Sequence, residues 1–240
     1  MSRAPTPSPQ LTLELFAPEP PSFDNFITGC NAEAVQHLRQ VVARHAMPTA
    51  VAACRHAFES ACICLWGPTA VGKTHLLSAL EAAHASALRV TTETLTSSPF
   101  IEQRLLLIDD VDRLSPTDQG WLFTAFNHVT QRGGAVIATL SRPPLATDLR
   151  PDLRSRLGSG LVFELAPLPE EALPDLLRRH CAARGFAIDD EVIAYVLTHH
   201  RRDARSLRTL LSAMDRLSLA ERRPVTMALA RTAMAALAGG

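Results

Sequence analysis

The sequence predicts an α/β fold with a five-stranded parallel sheet, followed by a small all-helical lid domain. Between residues 61 and 165, short apolar runs alternate with segments of helical periodicity. Strands separated by helices form parallel sheets that are covered on both faces. A glycine-rich loop lies between the first strand and the first helix of this stretch. After Pro167 only helical patterns follow.

The apolar pattern sets the expected elements and domain boundaries. Helices over residues 73–84 and 119–130 separate strands, and Asp203 and Thr226 are predicted to cap two helices of the lid. We expect a flexible tail over residues 1–22, an α/β domain over 23–166 and the lid over 167–240. The predicted strands cover residues 62–66, 88–92, 105–108, 135–139 and 161–165, and the lid helices cover 169–184, 189–199, 203–219 and 226–237.

Composition excludes several function classes. The 240 residues carry 24 basic and 24 acidic side chains, whereas a general duplex-DNA binder shows a basic excess. No apolar stretch is long enough to cross a membrane, and the N-terminus lacks the apolar core of a signal peptide. We therefore expect a cytoplasmic protein that is not a general binder of duplex DNA, while direct DNA contact by arginines of the lid stays open. The scattered cysteines indicate reduced thiols rather than a zinc site: Cys30, Cys54, Cys62, Cys64 and Cys181.

Residues 67–74 match the full P-loop pattern between a strand and a helix, which is the context this motif requires. Backbone N–H groups of such a loop surround phosphates, and the following helix directs its positive end at them. Lys73 is the only lysine among the 24 basic residues. We expect ADP or ATP to bind here, with Lys73 contacting the β-phosphate and, in ATP, the γ-phosphate, and with the Thr74 hydroxyl ligating Mg²⁺. The residues of the loop are Gly67, Pro68, Thr69, Ala70, Val71, Gly72, Lys73 and Thr74.

Two carboxylates, Asp109 and Asp110, follow the buried strand 105–108. The carboxyl end of a parallel strand lies at the edge of the sheet where nucleotide phosphates bind. Asp109 is therefore predicted to hold the Mg²⁺ shell, and Asp110 to polarise an attacking water. A pair of acids that only caps the next turn remains the alternative, more so for Asp110.

The order of these motifs resembles the AAA+ ATPases, and within them the initiator clade typified by bacterial DnaA. The resemblance implies that Arg156 is the arginine finger and that Arg205 is the sensor 2 residue, reaching the nucleotide from the lid. It places Ser141 at sensor 1, where this clade usually has an acid, so intrinsic ATP hydrolysis is expected to be weak at most. His75 joins the nucleotide-binding residues. The matching segments are residues 23–29, 72–77, 107–111, 139–144, 153–158 and 203–207.

The N-terminal tail carries a short apolar alternation between Pro-rich flanks. It resembles a peptide that binds the DNA polymerase III sliding clamp, and an N-terminal edge strand is the alternative. Pro-rich flanks disfavour docking into a sheet. The expected anchors are Gln10, Leu11, Leu13, Leu15 and Phe16.

The tail, the initiator-like module and the absence of a further DNA-binding domain together resemble the Hda family, the regulatory inactivators of DnaA. The initiator carries a helix-turn-helix domain beyond its lid, and we expect none in this sequence, which stops after the lid. The resemblance implies a nucleotide-bound adaptor that docks on the DNA-loaded clamp and stimulates hydrolysis of ATP bound to DnaA. DNA contact would then be indirect, through the clamp. A helicase loader like DnaC or IstB, or another DNA-remodelling ATPase, is the alternative, and the oligomeric state stays open, a homodimer included.

Overall fold

The computed structural model describes residues 20–45, 62–91 and 104–238. Its residues divide into two compact units, Pro21–Leu168 and a C-terminal unit that begins at Pro169. The tail predicted over residues 1–22, including the expected clamp peptide, lies almost entirely outside the described residues, so its role remains a prediction. The domain limits expected at residues 23, 166 and 167 likewise remain predictions.

The first unit has a parallel sheet flanked by helices, as the alternating sequence pattern predicts. All described strand pairs are parallel, in the order β2-β3-β4-β1-β5. The strands are β1 (Cys62–Trp66), β2 (Ala87–Val90), β3 (Leu105–Ile108), β4 (Ala135–Leu140) and β5 (Leu161–Glu164). The helices are α1 (Ala32–His45), α2 (Lys73–Ala83), α3 (Pro116–Gln131) and α4 (Pro151–Gly158).

The sheet separates two apolar cores, because side chains alternate between the faces of a strand. On β3, Leu105 and Leu107 join the core formed with α1 and α2, while Leu106 and Ile108 join the core formed with α3 and α4. All four leucine and isoleucine side chains of this strand are buried. A strand buried on both faces has no polar alternation, which is why it is recognisable in the sequence as a continuous apolar run.

The second unit contains only helices among its described residues. Their buried residues recur at helical spacing, as with Leu173 and Leu177 of α5, and Leu207, Leu210 and Leu211 of α7. The unit comprises α5 (Leu173–Ala183), α6 (Asp190–His199), α7 (Ala204–Glu221) and α8 (Met227–Ala238). No helix in the described part of the chain is long and apolar enough to cross a membrane.

Sequence reasoning located the fold class and all five strands but missed two helices. The sequence pattern gave no expected element for α1 or for the eight-residue α4. The helix expected from residue 169 instead starts at Leu173, after a separate short turn at Glu170–Ala172. Asp203 caps α7 as predicted, since its side chain accepts the N–H of Ser206 at 2.9 Å.

Candidate nucleotide-binding site

The loop between β1 and α2 takes its shape from two glycines that admit no side chain. Gly67 has a φ of 154°, and a Cβ there would lie 2.4 Å from the carbonyl oxygen of Leu165. Gly72 has a φ of 102°, and a Cβ there would lie 2.6 Å from Cε2 of Phe26. Only glycine satisfies both the backbone conformation and the close approach. The P-loop pattern in the sequence therefore corresponds to a real backbone constraint.

Lys73 begins α2 and directs its ammonium into the loop. Its side chain is buried, and Nζ donates hydrogen bonds to the carbonyl oxygens of Gly67 at 2.6 Å and of Pro68 at 3.0 Å. These two bonds use two of the three N–H groups of the ammonium. A buried lysine is costly unless its charge is met by acceptors. The loop carbonyls thus hold the cation where a phosphate group can approach it.

Thr74 and His75 lie in the first turn of α2, beside the segment that precedes α1. Thr74 is exposed, and Nε2 of His75 lies 2.8 Å from the carbonyl oxygen of Ser22. The His75 ring also packs against Phe26 at a centroid distance of 5.4 Å. These contacts join the N-terminal segment of the unit to the P-loop helix.

Asp109 follows β3 at the carboxyl edge of the sheet, as predicted, but both of its carboxylate oxygens have protein partners. The hydroxyl of Thr139, at the end of β4, donates to Oδ1 at 2.6 Å. The guanidinium of Arg89, on β2, donates to Oδ2 at 2.9 Å. Oxygen ligands suit Mg²⁺, and Thr74 and Asp109 are of the right type. However, the charge of Asp109 is already met by Arg89, so this donor set does not fit a tightly held Mg²⁺.

Asp110 adopts a left-handed backbone conformation, with a φ of 49°. Its N–H donates to the Thr139 hydroxyl at 2.8 Å, and its carboxylate lies 3.4 Å from the Arg113 guanidinium. Left-handed conformations are uncommon outside glycine and cluster at functional sites. Thr139 therefore connects the two acidic residues that the sequence singled out.

Ser141, the residue expected at sensor 1, is engaged by Asp112. Its backbone N–H donates to Oδ2 of Asp112 at 3.1 Å, and its hydroxyl donates to the same oxygen. The hydroxyl is thus bound to a neighbouring carboxylate. Among the described residues, no group of three or more histidine, cysteine or acidic side chains could hold a metal ion.

The two arginines implied by the family resemblance lie in different units. Arg156, in α4, is exposed and has no ion-pair partner among the described residues. Arg205 is the second residue of α7 and is also exposed. The structure brings Lys73, Asp109 and Asp110 into one unit with Arg156, while Arg205 belongs to the other unit.

Three side chains of this site escaped the sequence reasoning: Arg89, Thr139 and Asp112. Arg89 stands in the middle of an apolar run, which is an unusual place for a charge. The position of Arg89 in this run could have marked it as a functional residue, but nothing in the local sequence identifies Asp109 as its partner. Asp109 lies 20 positions away in the chain, and the two meet because β2 and β3 are neighbours in the sheet.

The P-loop, the parallel sheet and the acid at the end of β3 give the first unit the arrangement of an AAA+ domain, and a helical unit follows it. Solved structures with this fold include domain III of the Thermotoga maritima replication initiation protein DnaA, at 21% identity and a TM-score of 0.63, covering 88% of this chain and 94% of that one. AMPPCP-bound DnaA from Aquifex aeolicus matches at 20% identity and a TM-score of 0.63, covering 84% of this chain and 68% of that one. Residues 170–234 match the family described as "Hda, lid domain". The second unit therefore matches an Hda lid domain, and the chain has the fold of the DnaA structures.

Proposed function

We propose that this protein is a negative regulator of chromosomal replication initiation. It binds ADP or ATP, docks on the DNA-loaded sliding clamp, and stimulates the hydrolysis of ATP held by DnaA. The Hda-type lid over residues 170–234 supports this reading over a helicase loader like DnaC or IstB, or another DNA-remodelling ATPase.

The observation that carries the proposal is the exposure of Arg156 on the short helix α4. It has no ion-pair partner among the described residues, whereas Arg150 of the same segment is paired with Asp152 at 2.8 Å. A guanidinium that meets the γ-phosphate in a partner's site stabilises the charge of the transition state for hydrolysis. Arg156 is an exposed arginine on the helix α4, which suits this role.

Nucleotide binding by the chain itself rests on the P-loop. The buried ammonium of Lys73, and the two glycine positions that no other residue can occupy, suit a phosphate chain. A DnaA of this fold binds AMPPCP, an ATP analogue. We expect the adenine nucleotide to bind along the same loop here, with Arg205 of the lid as a further contact.

Intrinsic hydrolysis should be weak. The hydroxyl of Ser141 donates to Asp112, and the carboxylate of Asp110 lies beside the exposed guanidinium of Arg113. The Ser141 hydroxyl already has an acceptor and carries no charge, so it should orient water less well than the acid usual at sensor 1. This favours a role in which the bound nucleotide shapes the protein and the chemistry occurs in DnaA.

The partners we propose are DnaA and the sliding clamp. The peptide expected to bind the clamp, with its anchors Gln10, Leu11, Leu13, Leu15 and Phe16, lies outside the described residues. Only its resemblance to clamp-binding peptides supports the role that we propose for it.

The test is a reconstituted hydrolysis assay with ATP-loaded DnaA, clamp loaded on DNA, and this protein. We expect the wild type to accelerate ADP formation and Arg156→Ala to abolish most of the acceleration, because arginine fingers contribute about 10³–10⁵ in kcat. Removal of residues 1–16 should also abolish most of the acceleration, because the protein can then no longer dock on the loaded clamp.

Arg154→Ala is the matched control, since it removes one arginine charge from the same helix. It should retain most of the acceleration. If acceleration survives both Arg156→Ala and removal of residues 1–16, the proposed mechanism is wrong.

A further inference from the structure

The guanidinium of Arg89 lies at the carboxylate of Asp109, where the sequence predicts a Mg²⁺ ion. Arg89 lies on β2, next to the strand that leads to Asp109, and its Nη2 donates to Oδ2 of Asp109 at 2.9 Å. The side chains of the two residues are only 20% and 19% exposed. At this burial, water and salt screen the pair much less than they screen a surface ion pair.

The same guanidinium also reaches the helix that follows the P-loop. Nη1 of Arg89 donates to the hydroxyl of Ser78 at 2.7 Å, and that hydroxyl donates to the carbonyl oxygen of Thr74 at 3.0 Å. Glu81, on the same helix, lies 3.8 Å from Nη1. Through the Ser78 hydroxyl, Arg89 therefore connects the backbone carbonyl of Thr74 to the carboxylate of Asp109. Thr74 and Asp109 are the two residues from which the sequence predicts a Mg²⁺ site.

A guanidinium keeps its charge at every pH at which the protein is folded. It meets the negative charge of Asp109 permanently, and a divalent cation at the same carboxylate would be repelled by it. The guanidinium thus neutralises the carboxylate of Asp109. An unpaired Asp109 without a metal would repel the phosphates of a nucleotide, whereas the paired carboxylate does not.

We propose that Arg89 substitutes for Mg²⁺ at Asp109, so that this protein binds adenine nucleotide with little dependence on Mg²⁺. The inference rests on the nucleotide binding of the proposed function, but it requires no interaction with DnaA or with the clamp. It adds a positioning residue and a metal-independent mode of binding to that site. Such an adaptor would hold its nucleotide regardless of the free Mg²⁺ concentration.

The experiment measures the Kd of ADP by calorimetry, in excess Mg²⁺ and in EDTA, for the wild type and for Arg89→Gln. We expect chelation to change the wild-type Kd by less than about threefold. Chelation should raise the Kd of Arg89→Gln by about tenfold or more, because the charge of Asp109 then lies unpaired near the phosphates. Arg89→Lys keeps the positive charge and should behave like the wild type.

Arg132→Gln is the control, because it removes an exposed arginine at the end of α3 in the same unit. It should leave the ratio of the two Kd values unchanged. The inference is overturned if chelation weakens wild-type binding about tenfold or more, or if Arg89→Gln keeps the wild-type ratio. If Arg89→Gln does not fold, the wild type and Arg89→Lys decide.

Complete absence of ADP binding would overturn this inference and the nucleotide site of the proposed function together. A failure of the DnaA hydrolysis assay, with ADP bound as expected, would leave the inference standing. The two results are therefore distinguishable.

Discussion

The distribution of lysine and arginine shows how single residues specify this site. Lys73 is the only lysine among 24 basic residues, and the loop carbonyls of Gly67 and Pro68 accept hydrogen bonds from its compact ammonium. Arginine presents a planar fork that matches a carboxylate, as Arg89 does at Asp109. The chain therefore places the point charge in the P-loop and the planar guanidinium at the acid.

The cysteines allow a test at the same scale. Burial raises the pKa of Cys181 to about 12. A hydrogen bond with Cys62, together with burial, raises the pKa of the Cys64 thiol well above its usual range. Since the thiolate is the reactive form, both should resist iodoacetamide at pH 8 in the native protein. Cys30, which is exposed, should react first of these three.

Peptide mapping by mass spectrometry after timed alkylation measures this order. Denaturant should make Cys64 and Cys181 as reactive as Cys30. Labelling of native Cys181 at the rate of Cys30 would show that the lid core is open to solvent.

At the level of elements, the caps decide where helices begin. Asp203 precedes α7, and its carboxylate accepts the N–H of Ser206 at 2.9 Å and the hydroxyl of Ser206 at 2.8 Å. Asp189 occupies the equivalent position before α6 but makes no side-chain capping hydrogen bond. Both aspartates precede a helical pattern in the sequence, but of the two only Asp203 makes capping hydrogen bonds.

We predict that Asp203→Ala lowers the free energy of unfolding by about 1 kcal/mol at pH 7, the usual contribution of an N-cap. Burial tends to raise the pKa of Asp203, but the hydrogen bonds from Ser206 outweigh it, and the pKa lies below its ordinary value. The stabilisation is therefore fully present above the unfolded pKa of about 3.9 and is lost as the pH falls through the folded value.

Urea denaturation from pH 7 down to about pH 3 follows this difference across the unfolded pKa. Asp189→Ala serves as the control and should change the stability much less. An equal loss in both variants would mean that helix N-terminal charge, rather than the hydrogen bonds of Asp203, stabilises α7.

At the level of the nucleotide-binding unit as a whole, one buried side chain joins its two ends. The amide of Asn31, before α1, donates to the carbonyl oxygen of Ala166 at 3.1 Å and accepts the N–H of Ala166 at 2.9 Å. These residues are 135 positions apart. The pair fixes the start of the unit beside the segment that leads to the lid.

We predict that Asn31→Ala lowers the free energy of unfolding by about 1–2 kcal/mol, because it removes two hydrogen bonds and leaves part-buried backbone groups of Ala166 without this partner. Chemical denaturation of the full chain measures the change. Asn127→Ala, in α3, removes an amide of the same size and should cost much less. A wild-type stability in Asn31→Ala would mean that water replaces both hydrogen bonds.

The sequence by itself determined the P-loop, the five strands and the capped lid helix α7. Each of these follows from short-range rules: glycines at constrained backbone positions, continuous apolar runs, and an aspartate before a helical pattern. The helix α1 was within reach, because Val35, Leu38 and Val41 recur at helical spacing and are buried. With only eight residues, α4 offered too short a pattern to recognise.

The tertiary structure alone decided what surrounds Asp109. Arg89 and Thr139 reach it from the two strands that neighbour β3, and Ser141 binds Asp112 across 29 positions of the chain. Strand order and register bring these pairs together, and neither is encoded in the local spacing of residues. A local pattern can therefore identify an acid as a metal ligand, while only the fold reveals that an arginine already neutralises it.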